Sequence, residues 1–232
     1  MKEPKYRHEF KYLITNAQLA LLKARARAVM KPDSHTGDGG IYNIRSLYFD
    51  DCDNTCFYEN ENGTDPREKL RIRIYNHSPE RITLECKRKE RGKTLKTSCR
   101  LTKEQTQALM DGRIPQGEHP PLLAKLCVYM NVRRMRPAII VEYDRIPYVN
   151  RAGNVRVTFD TNISSSSKID GFLSGDVPKR LVLPSGMQLL EVKYDEFFPD
   201  HIYRALQLGE LEQTAFSKYY LCRTYNLQGY ML

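Results

Sequence analysis

Residues 69–75 of the chain, Lys-Leu-Arg-Ile-Arg-Ile-Tyr, alternate a cation with a hydrophobic residue. Successive side chains of a β-strand point to opposite faces of the sheet. One face of this stretch therefore carries Lys69, Arg71 and Arg73, and the opposite face carries aliphatic side chains. The stretch predicts a strand with one basic face and one face for the protein core.

Four other segments repeat this split between charged and hydrophobic positions: residues 7–12 (RHEFKY), 82–87 (ITLECK), 155–160 (VRVTFD) and 190–194 (LEVKY). For any one strand, a charged face in water is the ordinary explanation. Five such strands with a surplus of Arg and Lys favour another explanation. In it, the hydrophobic faces pack against outer helices and the charged faces line a closed barrel, whose lumen would suit a polyanion.

The length and the charge of the chain limit the class of protein. A chain of 232 residues is expected to form a single domain, residues 1–232, with a sizeable core. The net charge of +9 favours an anionic partner. Because the basic residues are spread along the chain among 28 acidic ones, a basic tail for DNA is not indicated, and we expect no nucleic-acid partner.

The cellular location of the protein is predicted from the absence of a transmembrane segment and of a signal peptide in this sequence. No apolar run reaches 18 residues, and residues 1–10 have no apolar signal-peptide core, so we expect a cytoplasmic protein without an intrinsic membrane segment. The cysteines form no CxxC pair and no zinc spacing, and we interpret them as reduced thiols. They are Cys52, Cys56, Cys86, Cys99, Cys127 and Cys222.

The order of the predicted elements indicates an α+β fold. Strands are predicted at about residues 5–13, 44–49, 69–75, 82–89, 94–101, 137–145, 154–161 and 187–195. Helices are predicted after the capping boxes Thr15/Gln18 and Thr102/Gln105, and at about residues 120–131, 200–208 and 214–226. Residues 163–185 are polar and are expected to be loop-like, with room for one short strand. About eight mostly antiparallel strands with peripheral helices make an eight-stranded antiparallel β-barrel the preferred architecture.

An ordered series of motifs resembles a known family. The motifs are RHEFKY (7–12), SLYFDD (46–51), KLRIRIY (69–75), LECKRK (84–89), EYDR (142–145), VRVTFDT (155–161), LLEVKYD (189–195) and FSKYYL (216–221). In this series the chain resembles the VTC domain, the polyphosphate polymerase module of the vacuolar transporter chaperone complex, and its free-standing bacterial relatives. That domain is one of the triphosphate tunnel metalloenzymes, also called CYTH-like proteins. The resemblance implies an eight-stranded tunnel lined by basic and acidic side chains.

The resemblance also implies roles for individual residues. Catalytic positions fall on Lys11, Arg71, Arg73, Lys87 and Lys193, and phosphate-binding positions fall on Lys96, Arg100, Arg145, Arg156 and Lys218. Glu191 and, more weakly, Glu9 match metal-binding positions for Mn²⁺ or Mg²⁺. The implied partners are ATP and polyphosphate or pyrophosphate.

The residues themselves support part of this assignment. Arg71 and Arg73 lie two positions apart on a strand, roughly 6.5–7 Å, so they can grip adjacent phosphates of one chain. Glu191 lies between Leu190 and Val192 in a core strand. Such a carboxylate needs a partner, and either a neighbouring Arg or a metal ion would serve.

Two alternatives to the polymerase remain open. The broader superfamily begins with an ExExK motif, but Arg7 occupies its first glutamate position here, which tilts modestly against a triphosphatase or nucleoside triphosphatase. A non-catalytic module that binds polyphosphate or RNA is the other alternative, and RNA would call for exposed stacking aromatics. The sequence holds neither the phosphate-sensing domain nor the membrane region of eukaryotic members. Sensing and translocation are therefore not implied, and a membrane partner stays open.

Overall fold

The computed structural model describes residues 7–36 and 39–228, with the backbone alone for residues 226–228. The strands are β1 (His8–Thr15), β2 (Lys31–Pro32), β3 (Tyr42–Asp50), β4 (Arg67–Tyr75), β5 (Ser78–Glu90), β6 (Lys93–Leu101), β7 (Arg136–Asn150), β8 (Val155–Ser166), β9 (Arg180–Leu181) and β10 (Met187–Tyr194). The helices are α1 (Asn16–Val29), α2 (Thr55–Glu61), α3 (Lys103–Met110), α4 (Pro121–Val132), α5 (Asp200–Leu206) and α6 (Lys218–Gln228).

These elements fall into two compact units of residues. The first unit holds the described residues of 1–43, 143–163 and 183–216, and the second holds those of 44–142, 164–182 and 217–232. Each unit combines three separate chain segments, so this division does not test the prediction of a single domain. The two units are described one at a time.

In the first unit, β1, β10, β8 and the second half of β7 are neighbours in that order. The β1–β10 and β10–β8 pairs are antiparallel. One face of this sheet packs against α1 and α5 in a continuous core, which includes Leu22, Ala26, Tyr148, Val157, Phe159, Leu190, Val192, Ile202 and Leu206. The helix α1 begins with the predicted capping box of Thr15 and Gln18.

In the second unit, the first half of β7 is followed by β3, β4, β5 and β6. The β3–β4, β4–β5 and β5–β6 pairs are antiparallel. The helices α3 and α4 contact β5 on its hydrophobic side, and α2 contacts β4. The α+β class and the antiparallel pairing of the long strands are therefore confirmed.

Tight turns join β4, β5 and β6, and the β4–β5 pair has one irregularity between Arg73 and Tyr75. Asn76 and His77 join β4 to β5, and both have positive φ angles, of 49° and 55°. Arg91 and Gly92 join β5 to β6 with φ angles of 49° and 75°. Positive φ at both central positions is the requirement of a type I′ hairpin turn, which matches the twist of the strands it connects.

A buried arginine of β3, Arg45, connects the sheet of the second unit to residues 171–175. Arg45 is fully buried on the hydrophobic face of β3, and its Nε donates to Glu142 Oε2 at 2.6 Å. Its two terminal nitrogens donate to backbone oxygens of Gly171, Phe172, Ser174 and Gly175. Because four carbonyl oxygens of this segment accept from one side chain, the guanidinium ties residues 171–175 to the sheet.

Several predicted boundaries shifted in the structure. The last helix begins at Lys218 rather than at residue 214, because Thr214 N donates to Lys11 O at 2.8 Å and Gln213 bridges Tyr12. The edge of β1 thus holds these residues in extended form. The strand β8 runs on to Ser166, within the segment expected to be loop-like. The strand predicted at residues 5–13 begins outside the described residues.

Two further predictions concern the helices and the thiols. None of the helices in the described part of the chain combines the length and the hydrophobicity that a membrane crossing requires. All six cysteines are free, and four of them are buried. Burial raises the pKa of the Cys86 thiol to about 11 and that of Cys222 to about 12. Both thiols are therefore protonated and unreactive near neutral pH.

The substitution Glu142→Gln tests the role of the buried arginine. Removal of the charge leaves Arg45 buried with no carboxylate partner, so we expect a loss of about 3 kcal/mol or more in the free energy of unfolding. Urea unfolding measures it. Glu90→Gln is the matched control, because the Glu90 pair with Arg88 is solvent-exposed and should add no measurable stability. Equal stability of the two variants would contradict the assignment.

The same carboxylate gives the stability a pH dependence. Burial alone would raise the pKa of Glu142, but hydrogen bonds from Lys179, His77 and Arg45 outweigh it and lower the pKa to about 2. The stabilisation is full above the unfolded pKa and is lost as the pH falls from about 4.5 towards 2. We expect the stability difference between the wild type and Glu142→Gln to shrink over this window in urea unfolding. A difference that stayed constant would contradict this prediction.

Candidate functional site

The second unit carries nine positions that form one face of β4, β5 and β6, here called the cationic face. Its three cross-strand rows are Lys69–Lys87–Lys96, Arg71–Glu85–Ser98 and Arg73–Thr83–Arg100. Six of the nine positions are cations, and Glu85 is the only carboxylate among them. The register of these three strands therefore concentrates positive charge on this face.

Glu85 lies at the centre of the cationic face and is 1% exposed. Its Oε2 lies 2.7 Å from Arg71 and 3.5 Å from Arg73, and its Oε1 pairs with Lys96. Burial alone would raise the pKa of Glu85, but the charges of Arg71, Arg73 and Lys96 hold that pKa well below its usual range. One ionised carboxylate thus serves three cations and leaves the face positive.

Neighbouring hydroxyls orient the two arginines. Arg73 Nε donates to Ser46 Oγ at 3.1 Å, and a terminal nitrogen of Arg71 donates to Tyr48 Oη at 2.7 Å. The Arg71 guanidinium also lies over the Tyr48 ring, 5.6 Å from its centre. Both guanidinium groups are therefore held in defined orientations above β3.

The start of α6 lies against the cationic face. Lys69 Nζ donates to Ser217 Oγ at 3.2 Å and stands 5.1 Å from the centre of the Tyr219 ring. The predicted phosphate-binding residue Lys218, which is half-buried, begins this helix. The second unit thus brings five predicted residues to one face, namely Arg71, Arg73, Lys87, Lys96 and the exposed Arg100, with Lys218 at its border.

The first unit holds the other predicted residues in a mixed-charge cluster on the face opposite its core. Its members are Glu9 and Lys11 on β1, Glu191 and Lys193 on β10, Arg156 and Asp160 on β8, and Arg145 on β7. Register places Glu9 opposite Lys193 and Lys11 opposite Glu191. The cluster therefore combines four cations with three carboxylates, and Lys193 lies opposite Glu9 on one side and Arg156 on the other.

Arg145 is the most tightly held member of this cluster. It binds Asp160 through two bonds of 2.7 Å and donates to Glu191 Oε2 at 3.2 Å. Burial would lower the pKa of Arg145, but the charge and hydrogen bonds of Asp160, together with the charge of Glu191, contribute to a pKa well above its usual range. Glu191 thus has the arginine partner that the sequence left open as one of two alternatives.

Two lysine–glutamate contacts and one bond to a backbone oxygen complete the cluster. Lys193 Nζ lies 2.8 Å from Glu191 Oε1, and Lys11 Nζ lies 3.0 Å from Glu9 Oε1. Lys11 also donates to Phe216 O at 2.8 Å. Burial lowers the pKa of Lys193, while Glu191 and Glu9 oppose this shift.

Arg156 and Arg7 lie at the margin of the cluster. One terminal nitrogen of Arg156 lies 2.8 Å from both Asp33 Oδ2 and Tyr42 Oη. Arg7, which replaces the first glutamate of the superfamily motif, forms an ion pair of 2.7 Å with Asp195. The position that carries an acid in the wider superfamily is therefore occupied here by a paired cation.

The donor atoms near Glu191 suit a metal ion that is shared with a ligand. Within residues 7–36 and 39–228, no group of three His, Cys, Asp or Glu side chains could hold a metal by itself. Glu9 and Glu191 are diagonal neighbours across β1 and β10, and both supply oxygen donors. Mg²⁺ typically takes one or two carboxylates and completes its shell with substrate phosphates and water, so the residues fit this type of site.

Sequence reasoning missed several residues of these two sites. Lys69 follows the same alternation as Arg71, and that pattern could have added it to the predicted set. Asp160 and Glu85 lie within two of the quoted motifs, and the structure shows that both pair with arginines. Asp33 and Tyr42, which hold Arg156, belong to no motif, because their contact depends on chain segments more than 100 residues apart in sequence.

The row formed by Lys69, Lys87 and Lys96 is expected to lower the stability of the protein and to favour the binding of anions. Like charges directly opposite on adjacent strands are destabilising, and Lys87 faces lysines on both sides. We expect Lys87→Gln to raise the free energy of unfolding by a few tenths to about 1 kcal/mol at low salt. Added tripolyphosphate should stabilise this variant less than the wild type. Thermal unfolding with and without the anion measures both effects.

Lys103→Gln is the control for this substitution, because Lys103 is exposed on α3 and lies outside the cationic face. The gain at Lys87 should decrease at high salt, since salt screens exposed charges. Unchanged stabilisation by tripolyphosphate would exclude Lys87 from the anion site.

Comparisons with solved structures show the fold. A Bacillus halodurans protein named as a candidate adenylate cyclase is 16% identical, with a TM-score of 0.52 over 91% of this chain and 95% of that chain. A Hippeastrum protein named as a candidate adenylyl cyclase with a dominant triphosphatase activity is 12% identical, with a TM-score of 0.54 over 95% of both chains. At these identities, the likeness shows a similar fold alone.

Comparisons of sequence give the family. No curated protein matches the chain. The model of the VTC domain family matches residues 6–225, which include both the cationic face and the mixed-charge cluster. The chain belongs to the VTC domain family.

Proposed function

We propose that the protein is a metal-dependent polyphosphate polymerase that transfers the γ-phosphate of ATP to a phosphate or polyphosphate acceptor. The observation that carries this proposal is the cationic face, where six cations surround one carboxylate. Lysines placed opposite lysines are costly in a sheet unless an anion lies between them. A phosphate chain is such an anion, because it offers negative oxygens at regular intervals.

The two arginines of the cationic face suit phosphoryl transfer. Each planar guanidinium can bind two phosphate oxygens at once, and two guanidinium groups on one face of β4 can bind different phosphates of one chain. Phosphoryl transfer depends mainly on positioning and on neutralisation of charge on the transferred group. We infer that Arg71 and Arg73 hold the triphosphate and that Lys87 and Lys96 bind further phosphate oxygens.

The mixed-charge cluster supplies the remaining proposed roles. Glu191 and Glu9 would hold Mn²⁺ or Mg²⁺, and a bound ion would neutralise phosphate oxygens. Lys11, Lys193, Arg145 and Arg156 would bind phosphate oxygens, with Arg145 oriented by Asp160. In the reaction, an acceptor oxygen forms a bond to the γ-phosphorus as the bond to ADP breaks. No side-chain nucleophile takes part.

Transfer to phosphate is preferred over hydrolysis for one specific reason. Arg7 stands where the wider superfamily has its first glutamate, and it is paired with Asp195. The chain therefore lacks at this position an acidic group that could orient a water molecule. We expect phosphate or polyphosphate, rather than water, to be the acceptor. The sequence has no Walker A loop, and the proposed site would bind ATP through its phosphates, so we also expect weak discrimination among nucleoside triphosphates.

A product assay tests the proposal. Purified protein is incubated with ATP and Mn²⁺, with and without pyrophosphate, and the products are resolved by gel and phosphorus NMR. We expect phosphoanhydride chains and ADP from the wild type. Arg71→Ala should lower the rate by about 100-fold or more, because it removes a preorganised donor to the transferring group. Glu191→Gln should abolish metal-dependent turnover.

Controls make the outcome specific. Lys103→Ala, outside both clusters, should keep wild-type activity, and circular dichroism should show that the two inactive variants are folded. Orthophosphate without chains would replace the polymerase with a triphosphatase. Tight polyphosphate binding without any turnover would replace it with a binding module.

A further inference from the structure

Two cavities in the second unit lie apart from the cationic face. They differ in whether the cations that line them are paired with carboxylates. The first, of about 250 Å³, lies between α2, β4 and α4 and is lined by both cations and carboxylates. There, Arg88 and Lys125 pair with Glu68 at 3.4 and 2.6 Å, and Arg133 pairs with Asp51 at 3.1 Å. Because these ion pairs balance the charges of the cavity, its charged residues are accounted for by their role in the folded structure.

The second cavity, of about 350 Å³, is lined by cations and hydroxyls, and we call it the serine cavity. Its lining includes Ser165 and Ser166 at the end of β8, Lys168 after it, Lys179 and Arg180 at β9, and Tyr225 on α6. Among the described residues, no carboxylate lines it. It shares no residue with the cationic face or the mixed-charge cluster.

Two of the three cations have no acidic partner. Lys179 pairs with the buried Glu142 at 2.6 Å. Lys168 and Arg180 form no ion pair with any residue in the described ranges, although both side chains are exposed at the cavity. The Arg180 guanidinium lies 5.3 Å from the centre of the Tyr225 ring. This contact orients the guanidinium and leaves its N–H groups for a ligand.

The serines add donors that are close to these cations. Ser166 Oγ accepts the N–H of Lys168 at 3.2 Å, which fixes the turn that presents Lys168. Ser165 is 8% exposed, and its hydroxyl has no hydrogen-bond partner among the described residues. The pairing of Ser165 with Arg180 across β8 and β9 places the hydroxyl and the guanidinium on neighbouring strands.

We propose that the serine cavity is a second anion site, which binds inorganic phosphate or pyrophosphate through Lys168, Arg180 and the Ser165 hydroxyl. A planar guanidinium, an ammonium group and a hydroxyl suit a compact ligand with several acceptor oxygens on one centre. A phosphate group offers such oxygens in more directions than a single carboxylate does. This site goes beyond the proposed polymerase reaction and does not depend on it.

An NMR titration with sodium pyrophosphate tests the site without ATP. The buffer contains EDTA, so no metal-dependent turnover takes place, and amide shifts report where the anion binds. We expect shifts at residues 165–168 and 180. The double substitution Lys168→Ala/Arg180→Ala should weaken pyrophosphate binding at this site about tenfold or more, because it removes both unpaired charges. Ser165→Ala should weaken it less.

Matched arms separate this site from the cationic face. Lys103→Ala should leave the titration unchanged, and Arg71→Ala should keep the shifts at residues 165–168 even if it loses those on β4. Inorganic phosphate should shift the same amides, whereas acetate at equal concentration should not. Absence of shifts at residues 164–181, equal shifts with acetate, or unchanged affinity in the double variant would each overturn the proposal. A lack of polymerase activity would leave it intact.

Discussion

The arrangement of same-sign charges across β4, β5 and β6 is the constraint on which the rest of the second unit depends. The hydrophobic face of these strands must pack against α3 and α4, so a shift of one residue would turn every cation into the core. The turn at Arg91–Gly92 holds one register along β5 and β6, and β4 keeps one register with β5 from Arg67 to Arg73, before an irregularity next to the turn at Asn76–His77. This register places three lysines in one row across the strands, namely Lys69, Lys87 and Lys96.

The first unit handles its charge differently from the second. Its carboxylates and cations nearly balance, and the buried Arg145, Asp160 and Glu191 hold each other through short contacts. A balanced, buried network costs much less than an unpaired charge would. The second unit instead keeps a clear excess of cations around Glu85. The contrast agrees with the roles proposed above, in which the first unit contributes carboxylates for a metal ion and the second contributes an excess of positive charge for phosphates.

The long strands, most of the helices and the positions that form the two charged clusters could be predicted from the sequence. The alternation in residues 69–75 and the capping box Thr15/Gln18 act locally, so they are visible in the chain itself. Arg45 could not be recognised, because it occupies a core-facing position whose partners lie some 100 residues or more away. The start of α6 was misplaced for a similar reason, since Thr214 bonds to β1 instead of continuing a helix.

Glu85 has a consequence for the thermodynamics of ligand binding. It holds Arg71 and Arg73 in place in the absence of any anion, and Ser46 and Tyr48 restrict the same two side chains further. The rotamer entropy of these arginines is therefore lost when the chain folds rather than when a phosphate arrives. Before a phosphate binds, the Glu85 carboxylate occupies the place of the ligand anion beside the two arginines. Binding then replaces contacts to Glu85 with contacts to phosphate oxygens, in a site whose side chains are already ordered.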